Sequence, residues 1–173
     1  DLNGSGVTII KKGDAGVHWG IGIGNGNAMG AGVEGNYIGV SYVAEDGTGY
    51  DGSSNPGSNY LNWDYLYYPN SVSNTWYHIA VTRENASGLI ELYVNGLVVD
   101  SKSNATPGTS ISNTSSLLLP PTGGYLVVNV DEIRIWNTTL TQFQIQANIS
   151  NQLNGDESGL EGYWNFNEGT GST

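Results

Sequence analysis

Residues 89–100, which read LIELYVNGLVVD, decide the fold class. Asn95 and Gly96 stand between two apolar runs, and both residue types tolerate the positive φ angles that a tight two-residue β-turn requires. The segment therefore predicts an antiparallel β-hairpin with its turn at Asn95–Gly96.

Further segments with strand character lie on both sides of this hairpin. β-Branched and alternating apolar residues predict strands at 6–11, 17–23, 37–43, 74–83 and 125–136, the first two paired as a hairpin. Residues 141–149 are the single helical candidate, with Phe143 and Ile145 or Ala147 on its apolar side. The pattern predicts an all-β protein with one short helix.

The composition agrees with this fold class and sets the size of the protein. The 173 residues include 26 glycines, only 12% are charged, and 38% are hydrophobic. A chain of this size can bury one hydrophobic core. One globular β domain is the expectation.

Charge and cysteine content exclude several classes of function. The net charge of −11 repels phosphate backbones and anionic lipids, so neither nucleic-acid binding nor membrane insertion is expected. The absence of cysteine excludes disulfides and thiolate chemistry. An acidic surface with little lysine favours Ca²⁺ as a ligand and an extracellular or cell-surface location. Sequons for N-glycosylation occur at Asn3, Asn85, Asn104, Asn113, Asn137 and Asn148.

Three motifs carry a resemblance to a known family. They are NTWYHIAVT at 74–82, LYVNG at 92–96, and VDEIRIWN at 130–137, the last followed by Leu140 and the predicted helix. In this order they resemble laminin-G-like domains of the concanavalin-A-like jelly-roll superfamily. The resemblance implies a two-sheet antiparallel sandwich that binds glycans or proteins outside cells, often with Ca²⁺ at its rim.

The C-terminal segment LEGYWNFNEGTGST, residues 160–173, departs from that family's order. A similar strand commonly begins such domains, whereas here it ends the chain, and the strands that should precede Val7 are missing. We therefore expect a sandwich at 1–159 and an assembly strand at 160–173 carrying Tyr163, Trp164 and Phe166, whose burial stabilises the fold. The strand either folds back in cis or enters a neighbouring copy or module, and the missing front strands favour the neighbour.

Two groups of residues are candidate Ca²⁺ ligands. Asp131 shares a strand face with Ile133 and Ile135, so its carboxylate is expected near the core, where it binds either Ca²⁺ or backbone N–H groups. The glycine-rich loop 46–55 lacks the spacing of an EF-hand, and we favour a flexible polar loop over an ion site here. Its oxygen donors are Asp46, Thr48, Asp51 and Asn55.

An aromatic group at 60–68 also has two interpretations. On a strand, Trp63, Tyr65 and Tyr67 share one face. They form either a sugar-stacking platform or a core-packing or subunit contact, and we favour packing or contact over the platform.

The sequence offers little for catalysis. The Glu-x-Asp-x-x-Glu spacing of a glucanase strand is absent, and the two histidines lie on separate predicted strands. We therefore expect no enzymatic activity. The predicted function is a structural or adhesive subunit that assembles with copies of itself or adjacent modules by strand complementation, as a fibre or surface layer. The alternative is a calcium-dependent glycan- or protein-binding module of a larger adhesin.

Overall fold

The structure, a computed structural model, describes residues 7–13, 18–25, 36–43, 49–50, 66–69, 71–103, 107–108, 110, 112, 114–119 and 128–169. Its elements are mostly short antiparallel strands. In chain order they are β1 (Val7–Lys12), β2 (His18–Asn25), β3 (Asn36–Val43), β4 (Gly49–Tyr50), β5 (Leu66–Pro69), β6 (Ile79–Glu84), β7 (Leu89–Val94), β8 (Leu97–Lys102), β9 (Leu117–Leu118), β10 (Ile133–Trp136), α1 (Gln142–Asn148) and β11 (Leu160–Trp164).

The largest sheet has the order β4-β3-β2-β1-β9, and β5 pairs with β3. β1 and β2 form the antiparallel hairpin that the sequence predicts, with Lys12 opposite Trp19. β3 continues the sheet in full antiparallel register with β2, from His18 opposite Val43 to Asn25 opposite Asn36.

The second sheet, β6-β7-β8, contains the segment that decides the fold class. Asn95 and Gly96 have φ angles of 51° and 76°, and Val94 faces Leu97 across the turn. The predicted hairpin is confirmed. Because a turn of this kind twists in the same sense as its strands, it sets the register of both.

The core lies between these two sheets. Val40 and Leu66 come from the larger sheet, while Ile90 and Leu92 come from the second, and all four are at most 4% exposed. Burying each such side chain contributes on the order of 1.5–3 kcal/mol. The two packed antiparallel sheets confirm the all-β fold, which is consistent with a jelly-roll sandwich.

Helix α1 begins and ends as the sequence predicts. Thr141 is its N-cap, and Thr141 and Gln144 form a reciprocal capping box. Ile145 is buried, but the prediction that Phe143 shares its apolar side is wrong, because Phe143 is 79% exposed. Two positions along a helix differ by about 200°, so these side chains point in opposite directions.

β10 and β11 form a two-stranded antiparallel sheet within the same chain. Arg134 faces Tyr163, and Ile135 faces Gly162. Of the long strand predicted at 125–136, only Ile133–Trp136 is a strand, since 128–132 are irregular and 125–127 lie outside the described residues. The positive φ of Glu132, 54°, interrupts the extended backbone.

Candidate functional site

Arg134 joins β10 to the end of α1. Its side chain is only 10% exposed, and its guanidinium donates to the carbonyl oxygens of Asn148 and Asn151 and to Glu132 Oε2 at 2.7 Å. A cation is favourable here because the carbonyl end of a helix carries partial negative charge. The Glu132–Arg134 ion pair, although its two positions are only two apart on the chain, therefore belongs to a half-buried network.

Tyr163 ties the inner face of β11 into this network. Its hydroxyl donates to Glu132 Oε2 at 2.8 Å and accepts the Leu153 N–H at 3.4 Å, and Arg134 lies 5.6 Å from its ring centroid. Partial burial, and then the hydrogen bond to Glu132, raise the pKa of Tyr163. The hydroxyl therefore stays protonated at neutral pH and remains a donor to Glu132.

The opposite face of β11 presents the ring of Trp164, and a second exposed ring, Phe166, follows two residues after the strand ends. The indole of Trp164 lies over Gly162, where an added Cβ would be 2.5 Å from Trp164 Cη2. Trp164 is 41% exposed and Phe166 is 45% exposed. Phe166 has a φ of 48°, a conformation that costs a non-glycine residue free energy. We call Trp164 and Phe166 the aromatic end of β11.

The segment between α1 and β11 is ordered by bonds within itself and contacts the rest of the domain at several points. Leu153 is buried, and the Glu157 carboxylate accepts the N–H groups of Asn154 and Gly155 at 2.7 and 3.0 Å. These bonds, that of Asn154 above all, lower the pKa of Glu157. The Asn137 N–H donates to the Gly159 carbonyl at 2.8 Å. These contacts position β11 beside β10 of the same chain.

The structure places Asp131 differently from the sequence prediction. Its side chain is exposed, and its Oδ1 accepts the Glu132 N–H at 2.9 Å. The expectation of a carboxylate near the core was wrong, because the turned backbone at Glu132 removes Asp131 from the alternation of the strand. Within the described ranges, no three His, Asp or Glu side chains are grouped to hold a metal.

Several predicted residues lie outside the described residues. These are the loop donors Asp46, Thr48, Asp51 and Asn55, the aromatic residues Trp63 and Tyr65, and the sequons at Asn3, Asn104 and Asn113. Their roles stay predictions.

The remaining members of those groups are accessible to differing degrees. Tyr67 is 38% exposed on β5, and its N–H donates to Asp100 Oδ2 at 3.0 Å. Asn85 and Asn137 are exposed, while Asn148 is half-buried at the end of α1. The sugar or contact role of Tyr67 and the glycosylation of these asparagines stay predictions.

His78 occupies a constrained position near the hairpin turn. Its carbonyl accepts the Asn95 N–H at 2.8 Å, and its N–H donates to Asn95 Oδ1 at 3.0 Å. Its Nδ1 is buried and has no hydrogen-bond partner in the described part of the chain. Burial, and then the charge of Arg134, lower the pKa of His78.

Sequence reasoning missed an open cleft of about 380 Å³ between the outer face of the second sheet and the chain that enters α1. We call it the sheet–helix cleft. The sequence did contain a signal for its floor, because Thr82 and Glu84 on β6 lie on the same face of the sheet as Glu91 and Tyr93 on β7. The lining residues are Thr82, Glu84, Leu89, Glu91, Tyr93, Val98, Thr139, Leu140, Thr141 and Gln142.

Comparison with known families agrees with this architecture. The Laminin G 3 family model, described as the concanavalin A-like lectin/glucanases superfamily, matches residues 2–146. The chain belongs to this family. No curated protein and no solved structure matches it. A domain of this family is a β-sandwich module that often binds carbohydrate or protein, and it is commonly extracellular. None of the described helices is long and apolar enough to cross a bilayer.

Proposed function

We propose that the protein is a non-enzymatic, extracellular binding module that contacts a glycan or protein through the aromatic end of β11. The observation that carries the proposal is the pair of large exposed rings, Trp164 and Phe166. Gly162 leaves room for the Trp164 indole, and the backbone of Phe166 has a positive φ. Aromatic rings presented in this way are typical anchors of sugar and protein contacts.

A comparison of two exposed tryptophans tests this proposal. Trp164→Ala should abolish binding to any glycan or matrix protein that the intact domain captures from an immobilised panel. Trp76→Ala is the matched control, because Trp76 is 67% exposed and belongs to the irregular segment before β6. Equal binding by both variants, or loss in both, would refute a contact through β11.

The state of the carboxylates in the sheet–helix cleft supports a non-enzymatic role. Glu84 and Glu91 are the carboxylates of the sheet–helix cleft, and each already accepts a hydroxyl hydrogen bond, from Ser87 and Tyr93. A glycosidase needs one protonated and one free carboxylate across a sugar ring. We expect no release of reducing ends from soluble β-glucans. Release that disappears in Glu91→Gln would show that the domain is a hydrolase.

A calcium ion remains part of the proposal. Either the exposed Asp131 carboxylate or the oxygen donors of the 46–55 loop can supply ligands to such an ion. An ion that binds only the folded state stabilises it by mass action. A chelator should lower the melting temperature, and Asp131→Asn should remove part of that shift. An unchanged melting temperature in both experiments would exclude this site.

A second candidate function is assembly by strand complementation, in a fibre or surface layer. Among the described residues, β11 pairs only with β10, so its second edge has no strand partner. Exchange between copies would use the same β10–β11 contacts in trans. The bound segment at 151–159 supports cis pairing instead, since exchange must break the contacts of Leu153 and Gly159 with the rest of the domain.

A further inference from the structure

We propose that the sheet–helix cleft binds a lysine side chain of a partner protein. This site is separate from the aromatic end of β11 and does not depend on the function proposed for it. Its volume of about 380 Å³ is enclosed by two parts of the chain that are far apart in sequence: the β6–β8 sheet and residues 139–142.

The cleft is held open from both ends. The Thr139 hydroxyl donates to the Arg83 carbonyl at 3.0 Å, and Gln142 Nε2 donates to the Gly96 carbonyl at 3.1 Å. The capping box at Thr141 fixes the backbone between these two points. Residues 139–142 are therefore held at a fixed distance from the sheet, which keeps the cleft open.

Two carboxylates, those of Glu84 and Glu91, face the cleft. Thr82 stands directly opposite Glu91, and Glu84 stands opposite Leu89, so Glu84 and Glu91 are diagonal neighbours on one sheet face. Diagonal neighbours lie roughly 7–8 Å apart, a separation at which like charges repel. None of the ten lining residues is Lys, Arg or His. A bound cation would relieve this repulsion.

The other walls favour a lysine side chain over a small metal ion. Leu89, Val98 and Leu140 provide an apolar surface along which the methylene stem of a lysine can pack, while its ammonium reaches the carboxylates. The ammonium donates three hydrogen bonds, and carboxylate and hydroxyl oxygens accept them. The Tyr93 hydroxyl, which donates to Glu91 Oε2 at 2.6 Å, keeps that carboxylate oriented.

The probe for this site is Nα-acetyl-lysine methylamide, titrated into the ¹⁵N-labelled protein and followed by amide chemical shifts. Saturable shifts at Thr82, Glu91 and Val98 are expected, and the norleucine analogue, which has the stem without the ammonium, should cause none. Binding should be roughly tenfold weaker in Glu84→Gln and in Glu91→Gln, since each removes a charge-assisted hydrogen bond. Asp156→Asn, an equal change of charge at an exposed residue outside the cleft, should leave binding unchanged.

Three results would overturn the proposal. The first is the absence of saturable amide chemical-shift changes in the cleft of the folded wild-type protein. The second is equal binding of the lysine and norleucine analogues, which would make the cleft merely apolar. The third is an equal loss of binding in Asp156→Asn and Glu91→Gln, which would attribute the effect to net charge. Circular dichroism of each variant separates these outcomes from a loss of folding.

Discussion

The indole ring of Trp164 lies over Gly162, so closely that a Cβ atom at position 162 would be 2.5 Å from Cη2 and 2.7 Å from Cζ3. These residues are two apart on β11 and therefore share a face of the strand. Glycine at 162 thus allows the ring to lie along the strand. The exposed surface of the ring becomes part of the aromatic end of β11.

Gly162→Ala should displace the indole and destabilise the domain by about 1–3 kcal/mol, the usual cost of overpacking. Chemical denaturation measures the cost, and tryptophan fluorescence reports the moved ring. In a Trp164→Ala background the same substitution should be nearly neutral. A penalty that persists without the indole would mean that position 162 is restricted by something other than Trp164.

Gly96→Ala should destabilise the domain by separating α1 from the hairpin. A Cβ at 96 would be 2.8 Å from Gln146 Cγ and 2.9 Å from Ile149 Cδ1. The positive φ adds a cost of about 1 kcal/mol, and the crowding adds about 1–3 kcal/mol more. Differential scanning calorimetry gives the total.

Gly108→Ala is the matched control for that measurement. Gly108 has a φ of 79°, close to the 76° of Gly96, but a Cβ there would meet nothing within 4 Å. Gly108→Ala should therefore lose only the stability that the positive φ angle costs, without the cost of crowding. Equal melting temperatures for the two variants would contradict the packing of α1 on the hairpin turn.

Arg134→Met should cost about 3–5 kcal/mol, because it leaves Glu132 and the carbonyls at the end of α1 without their shared donor. Arg134→Lys should restore only part of this stability, since a lysine lacks the planar fork that reaches several acceptors. Lys12→Met removes one positive charge from a weaker, exposed bond to Ser115 and should cost less than about 1 kcal/mol. Equal urea midpoints for Lys12→Met and Arg134→Met would show that the Arg134 network does not stabilise the domain.

Stability should fall on mild acidification because of His78. Its pKa in the folded state is lowered by burial and by Arg134, so the folded chain binds fewer protons than the unfolded chain. The stabilisation is complete above the ordinary pKa of about 6.5 and decreases as the pH falls from that value toward the folded pKa. Unfolding free energies of the wild type and of His78→Gln should be compared from about pH 7.5 to 5.5. Over this range the wild type should lose more stability on acidification than His78→Gln. Parallel curves would assign the pH dependence to the carboxylates alone.

How far the sequence predicted the structure depends on how local each signal is. The turn at Asn95–Gly96 and the cap at Thr141 are set by neighbouring residues, so both elements could be predicted from short segments. The network of Arg134 joins residues from β10, the end of α1 and β11, and no spacing reveals that these elements meet. Alternation placed Asp131 near the core only because it assumes an extended strand, and the turned backbone at Glu132 breaks that assumption.

The sheet–helix cleft shows the same limit. The shared face of Thr82, Glu84 and Glu91 follows directly from strand periodicity, so the carboxylate pair was predictable. That residues 139–142 lie above this face was not, because it depends on the hydrogen bonds from Thr139 to Arg83 and from Gln142 to Gly96.

In the proposed function, β11 closes its own domain, which leaves the aromatic end free as a binding surface. Light scattering coupled to size exclusion tests it most directly. The intact chain should elute as a folded monomer of 18.3 kDa, and a chain lacking 160–173 should be monomeric but less stable. Polymers of the intact chain that disappear when 160–173 are removed would contradict the claim and establish strand exchange between copies.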